Sequence, residues 1–152
     1  MKKFIKLFLI MLFSFSISSM SFSSENYQKE MLNLVNIQRK KANISPLILD
    51  EKLNKLAKIK VDLIIKEGKL NHYAGGYNSL GEFLKNYGIS YLAVGENLAT
   101  KTKNPEDTMN LWMNSKGHRA NILNKNFKNI GISRGIDKEG NIYWVQIFTN
   151  PR

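Results

Sequence analysis

Three side chains in this sequence have the types that hold a metal ion or move a proton: His72, Glu96 and His118. His72 and His118 are its two histidines, and each lies beside glycine and polar residues rather than on an apolar helix face. Glu96 interrupts an apolar extended segment, in Gly95-Glu96-Asn97-Leu98. A carboxylate is costly to bury unpaired, so Glu96 calls for a partner, and a histidine or a metal ion would serve. More than twenty residues separate each of the three from the next, with no local ligand motif such as H-E-x-x-H. Spacing alone leaves open whether they converge or whether each histidine is a separate surface or structural residue. A second motif, Gly131-Ile132-Ser133-Arg134-Gly135, matches the G-x-S-x-G nucleophile elbow. That elbow joins a strand to a helix and is followed in the chain by its histidine. Here a turn and another strand follow, and no histidine lies beyond His118. Cysteine is absent, which excludes disulfides, thiol nucleophiles and Cys-ligated metals.

The elements that must position these residues are readable from periodicity. Residues 27–42 read as a helix with Met31, Leu34, Val35 and Gln38 on one face. Asn43 to Pro46 ends it, because proline disfavours helix at the residue before it. Asp50 is an N-cap for a second helix. Leu53, Leu56, Ala57, Val61, Ile64 and Ile65 form its apolar stripe, and Gly68 suits a left-handed C-terminal cap. His72 falls in the following loop, with Asn71, Tyr73, Gly75 and Gly76. Ser79 to Tyr87 reads as a short helix closed by Gly88, and Tyr91 to Ala99 as extended chain. Asn104-Pro105-Glu106-Asp107 is a helix start, with an N-cap, a first-turn proline and acids at the positive end of the dipole. Met109, Trp112 and Met113 face inward, and Lys116-Gly117-His118 reads as a loop or short turn. Asn129 to Arg134 and Ile142 to Thr149 form a hairpin around Asp137-Lys138-Glu139-Gly140. The last strand is apolar on both parities and should be covered on both faces. The expected fold is α+β, a three-layer α/β/α sandwich with a central antiparallel sheet. Trp112 and Trp144 read as core anchors and Asn36 and Arg39 as structural polar residues.

A length of 152 residues allows one domain. A hydrophobic fraction of 43% with 23% charged residues argues against disorder and against a multispan membrane protein. Lys2, Lys3 and Lys6, an apolar run to Phe15 and a serine-rich exit give the order of a secretory signal peptide. Residues 1–23 are therefore expected to be cleaved, leaving 24–152 as a single domain. The alternative, a retained anchor, has only Leu7 to Phe13 uninterrupted, short of the ~20 residues of a span. The net charge of +11 falls by three on cleavage. The lysines are scattered, without the aromatic-interleaved basic stripe of single-strand binders, so no nucleic-acid role is expected.

The residues also carry a resemblance. Leu34-x-Asn36-x-x-Arg39, Pro46-Leu47-x-x-Asp50-x-x-Leu53, His72 and Gly95-Glu96-Asn97-Leu98-Ala99 occur in order. Trp112 to Leu123, Ile130-Gly131-Ile132 and Tyr143 to Phe148 then follow. Together they make the chain similar to the CAP superfamily, or SCP domains: cysteine-rich secretory proteins, antigen 5 and plant pathogenesis-related proteins. It resembles most the short bacterial secreted branch. The resemblance implies an α/β/α sandwich and a central cleft of two histidines and two acids, able in some members to hold zinc or another divalent cation. It places His72, His118 and Glu96 in that cleft, with Asn97, Ser115, Arg119 and Asn121 as supports. Ser115 stands where many eukaryotic members have the second acid, and a hydroxyl is a poorer ligand than a carboxylate. Two histidines, one carboxylate and water could still hold zinc, and the same groups could form a metal-free hydrogen-bond network.

The expected function is a secreted binding or interaction module, extracellular or in the cell envelope, monomeric, with a protein or envelope component as partner. A metal-assisted hydrolase at the same cleft is the alternative, with Glu96 working on a bound water. The sequence favours binding over catalysis, because it supplies no nucleophile or oxyanion donor beyond those residues. Lipid or sterol binding is implied by the resemblance alone. Expressed in an exporting bacterial host, the protein should leave the cytoplasm with Ser24 at its N-terminus. Intact-mass analysis reads this, and an exported chain that keeps Lys2 and Lys3 would contradict it.

Overall fold

The computed structural model describes residues 26–152, so the expected signal peptide at 1–23 lies outside the described residues. Helix α1 covers 26–41 and buries Tyr27, Met31, Val35 and Arg39, one residue per turn. Asn43, at φ 58°, turns the chain out of it. Strand β1 (Ile48–Leu49) leads into α2 (Glu51–Glu67). Asp50 caps α2 by accepting from the Lys52 and Leu53 amides, and Gly68 closes it at φ 65°. α3 (Leu80–Asn86), β2 (Tyr91–Thr100), α4 (Pro105–Asn114), α5 (Lys116–Ile122), β3 (Asn129–Ile136) and β4 (Ile142–Pro151) follow. Ser79 and Asn104 cap α3 and α4 through their side chains.

The sheet order is β1-β3-β4-β2. β4 pairs antiparallel with both β2 and β3, and the hairpin turns at Gly140 with φ 84°. The sheet is nevertheless mixed, because β1 pairs parallel with β3. This corrects the antiparallel-only expectation. β1 is two residues long and its partner lies some eighty residues on, so no local alternation marks it. A second correction is α5, expected as a loop or short turn. Gly117 sits in its first turn and Ser115 makes no side-chain cap bond, so the usual start signals are missing.

Residues 143–149 of β4 are all buried. Trp144 and Phe148 join a cluster with Met31, Val35, Trp112, Ile122 and Ile130, whereas Val145 and Ile147 join one with Leu53, Ala57, Val61, Ile64 and Phe83. Alternate side chains of a strand leave opposite faces, so β4 is the shared wall of two cores. Both tryptophans are fully buried and satisfy their indole N–H groups on the Leu98 and Thr102 carbonyls. Ser133 is buried inside β3, so Gly131 to Gly135 is plain strand and not an elbow.

Arg39 is fully buried, and among the described residues no carboxylate pairs with it. Its guanidinium donates to the carbonyls of Ser45, Ile122, Asn124 and Phe127, tying α1 to α5 and to the approach to β3. Asn36 exchanges two hydrogen bonds with the Leu47 backbone, which holds β1 in place. Both are structural, as their helix-face positions suggested.

Gly131 lets α2 lie directly on β3, since a Cβ there would fall on the backbone carbonyl of Leu53. Gly131→Ala should therefore cost about 2 kcal/mol or more in urea unfolding, as an overpacked contact does. Gly117 has open space around its Cβ position within α5, so Gly117→Ala should gain up to about 1 kcal/mol. Equal effects of the two substitutions would contradict this packing.

Candidate functional site

β2 forms one edge of the sheet, and successive residues on it face opposite sides. Glu96 pairs in register with Ile147 and Asn97 with Gln146, so the two side chains go to the two different cores. This alternation divides the site.

On the first face, Glu96 is buried, with its side chain 3% exposed. Its Oε2 lies 2.7 Å from His72 Nδ1. The His72 ring belongs to the loop after α2 and is 56% exposed, so it is displayed to solvent while its inner nitrogen is held. Lys60, fully buried on α2, donates from Nζ to the His72 carbonyl at 2.6 Å and lies 4.0 Å from Glu96 Oε1. The loop is tied again where Glu67 accepts from the Gly75 amide at 2.7 Å. His72, Glu96, Tyr73, Asn78, Ser79 and Val94 border an open cleft of about 360 Å³.

On the second face, Asn97 donates to the His118 carbonyl at 3.1 Å and to Gln146 Oε1 at 3.2 Å. Asn121 donates to the Glu96 carbonyl and to Asn97 Oδ1, at 3.0 and 2.9 Å. Asn97 and Asn121 thus brace the β2 backbone against α5. Arg119 is exposed and donates to the Met113 carbonyl at 2.7 Å, so it clamps the α4–α5 junction rather than the cleft. Ser115 is the residue between those helices, half-buried. The structure brings His72 and Glu96 together. It places the His118 ring near enough for the His72 charge to act on it, with its Nδ1 buried and without a hydrogen-bond partner among the described residues.

The sequence reading missed Lys60 and Gln146. Lys60 falls on the apolar stripe of α2, between Ala57 and Val61, a position where a lysine must be paired. Gln146 interrupts a strand apolar on both parities. Either interruption is the signal that identified Glu96.

A divalent ion needs several free donors in one place. Among the described residues, no group of three His, Asp or Glu side chains could hold a metal ion. Two buried atoms near the cleft, Glu96 Oε1 and His118 Nδ1, lack hydrogen-bond partners. The Lys60 ammonium lies beside Oε1, however, and opposes any cation that would approach it. As placed, these residues do not fit a bound metal.

The two imidazoles are driven in opposite directions. The hydrogen bond to Glu96 raises His72 above the usual value of 6.5; burial opposes this, the Glu96 charge adds to it and the Lys60 charge opposes it. Burial, and then the His72 charge, lowers His118 below 6.5. The stability that His72 contributes is present below its unfolded value and lost as pH rises through the raised folded one. The contribution of neutral His118 is present above its unfolded value and lost as pH falls through the lowered one. In an NMR titration of the ring nitrogens, His72 should protonate first as pH falls and His118 second. Glu96→Gln should lower the His72 midpoint, and the reverse order of the two rings would contradict this geometry.

The family model described as "CAP: Cysteine-rich secretory protein family" matches residues 32–148, most of the chain. The YkwD protein of Bacillus subtilis is 41% identical over 122 residues, which is 80% of this chain and 46% of that protein. The chain spans less than half the length of the curated relatives it matches. Among solved structures, an outer surface protein of Borrelia burgdorferi has a TM-score of 0.78 at 23% identity, covering 84% of this chain and 94% of its own. An extracellular SCP-domain protein of Bacillus anthracis has a TM-score of 0.73 at 23% identity, covering 83% of this chain and 41% of its own. At those identities the structural likeness establishes the fold, and the family match covers the site-bearing segments from α1 to β4. This chain belongs to the CAP, or cysteine-rich secretory protein, family.

Proposed function

We propose that the protein is a secreted binding module whose cleft at His72 receives a small polar ligand or a polar group of a cell-envelope or protein partner. One observation carries this reading: an imidazole more than half exposed, anchored through its inner nitrogen to a buried carboxylate, at the mouth of an open cleft. Anchoring removes rotamer freedom before binding, so the ring loses less entropy when it meets a ligand. Its outer nitrogen can donate or accept, depending on protonation. Export is supported by the leader-like N-terminus and by the extracellular and outer-surface proteins that share the fold. Among the described residues, no helix is long and apolar enough to cross a membrane.

The zinc-assisted hydrolase gains no support from the donor arrangement. Lipid carriage rests on resemblance alone. Fold by itself does not decide among functions, because function belongs to the site.

Binding to isolated bacterial cell walls tests the proposal. Cosedimentation should show saturable binding by the wild-type protein. His72→Ala, verified as folded, should weaken it at least about fivefold, the equivalent of about 1 kcal/mol. Exposed Lys138→Ala on the far hairpin turn should leave it unchanged. Undiminished binding by His72→Ala would remove the cleft from the interaction.

A further inference from the structure

Lys60 is the residue of this site that no expected role of the cleft requires. It occupies the apolar stripe of α2 among Leu56, Ala57, Val61 and Ile64, and its side chain is wholly buried. A buried ammonium is retained only where it is paired. Here its partners converge from three elements. The His72 carbonyl accepts from it at 2.6 Å, Glu96 Oε1 lies 4.0 Å away, and the Phe83 ring faces it at 5.1 Å from the centroid. Burial pushes the Lys60 ammonium below the usual lysine value, and the charges of Glu96 and then Glu67 oppose this; Glu67 also anchors the Gly75 amide of the same loop.

These contacts do two things. They place a positive charge beside a buried carboxylate, and they fasten the loop that presents His72 to the helix beneath it. A divalent cation bridging Glu96 and His72 would do the same two things. It would have to take Glu96 Oε2 from His72 Nδ1 and approach Oε1 against the Lys60 ammonium. His118, the third ligand implied by resemblance, does not complete a group of three that could hold a metal ion among the described residues.

We infer that Lys60 is the resident cation of this cleft: its ammonium neutralises Glu96 and fixes the His72 loop, so that the cleft is built to work without a metal ion. The inference rests on the proposed importance of the His72 cleft, but its test uses no ligand. Loss of envelope binding and gain of metal binding are therefore separate results.

The experiment is calorimetric titration of the purified protein with zinc chloride and, separately, magnesium chloride, alongside melting curves with and without each ion. The wild-type protein should show no saturable one-to-one heat and no rise in Tm. Lys60→Met keeps the apolar stem and removes the charge. It should melt lower than wild type, gain one-to-one zinc binding and recover part of its Tm with zinc. Adding Glu96→Gln should abolish that gain. A folded Lys60→Met that ignores zinc would overturn the inference. So would one-to-one zinc binding by the wild type that Glu96→Gln abolishes. If Lys60→Met does not fold, the wild-type titration decides alone: a metal-indifferent wild type supports the inference and a zinc-binding one overturns it.

Discussion

A carboxylate cannot sit in an apolar core without compensation, and Glu96 sits between β2 and α2 at 3% side-chain exposure. Much of the site is arranged around that constraint. Lys60 must come from the buried stripe of α2, because only a group inside the core can lie beside Oε1. His72 must come from the loop after α2, because the other oxygen faces the cleft. The loop in turn is held by its own carbonyl on Lys60 and by the Gly75 amide on Glu67. The position of α2 depends on close packing over Gly131 of β3 and on Asn54 accepting from the Ile132 amide. One buried charge is thus linked through short contacts to a helix, a loop and two strands.

The opposite side of the sheet solves a similar problem with neutral acceptors. Arg39 brings a guanidinium into the core and satisfies it on four backbone carbonyls. Those carbonyls lie at the end of α5, just beyond it and in the loop after α1, so the same residue sets where α5 stands. Asn121, on α5, then reaches back to the Glu96 carbonyl and to Asn97. The two buried cations act on the two sides of one strand. Arg39 acts indirectly, by positioning the helix that braces β2. Lys60 acts directly, at the carboxylate that β2 carries.

Much of this was legible along the chain, for local reasons. Asp50, Ser79 and Asn104 are caps because a short polar side chain beside a free amide needs nothing distant. The two-faced apolarity of β4 correctly implied cover on both faces. The cost of burying a carboxylate marked Glu96 as needing a partner, a histidine or a metal ion, without saying which. Less legible were β1, whose partner strand is far away in sequence, and α5, whose glycine and uncapped start hide it. Lys60 was passed over although it interrupts an apolar stripe just as Glu96 interrupts an apolar strand. The same cost argument applied to a cation would have singled it out.

Local patterns along the chain mark the helices with strong caps, the terminal hairpin and the core tryptophans, and name His72, Glu96 and His118 as candidates. The elements rest on periodicity or a turn residue and Glu96 on its desolvation cost, all carried within a few neighbouring residues, whereas the two histidines rest on residue type and on the family resemblance. Which candidates meet is set by the packing of elements distant in the chain. Glu96 and Asn97 are adjacent in the chain, yet the pleat of β2 sends them to opposite cores. His72 therefore joins Glu96 on one side, while Asn97 holds the His118 carbonyl from the other, and a lysine from a third element stands beside the carboxylate. Strand alternation and the crossing of α2 over the sheet settle that arrangement, and both depend on partners that no local pattern names.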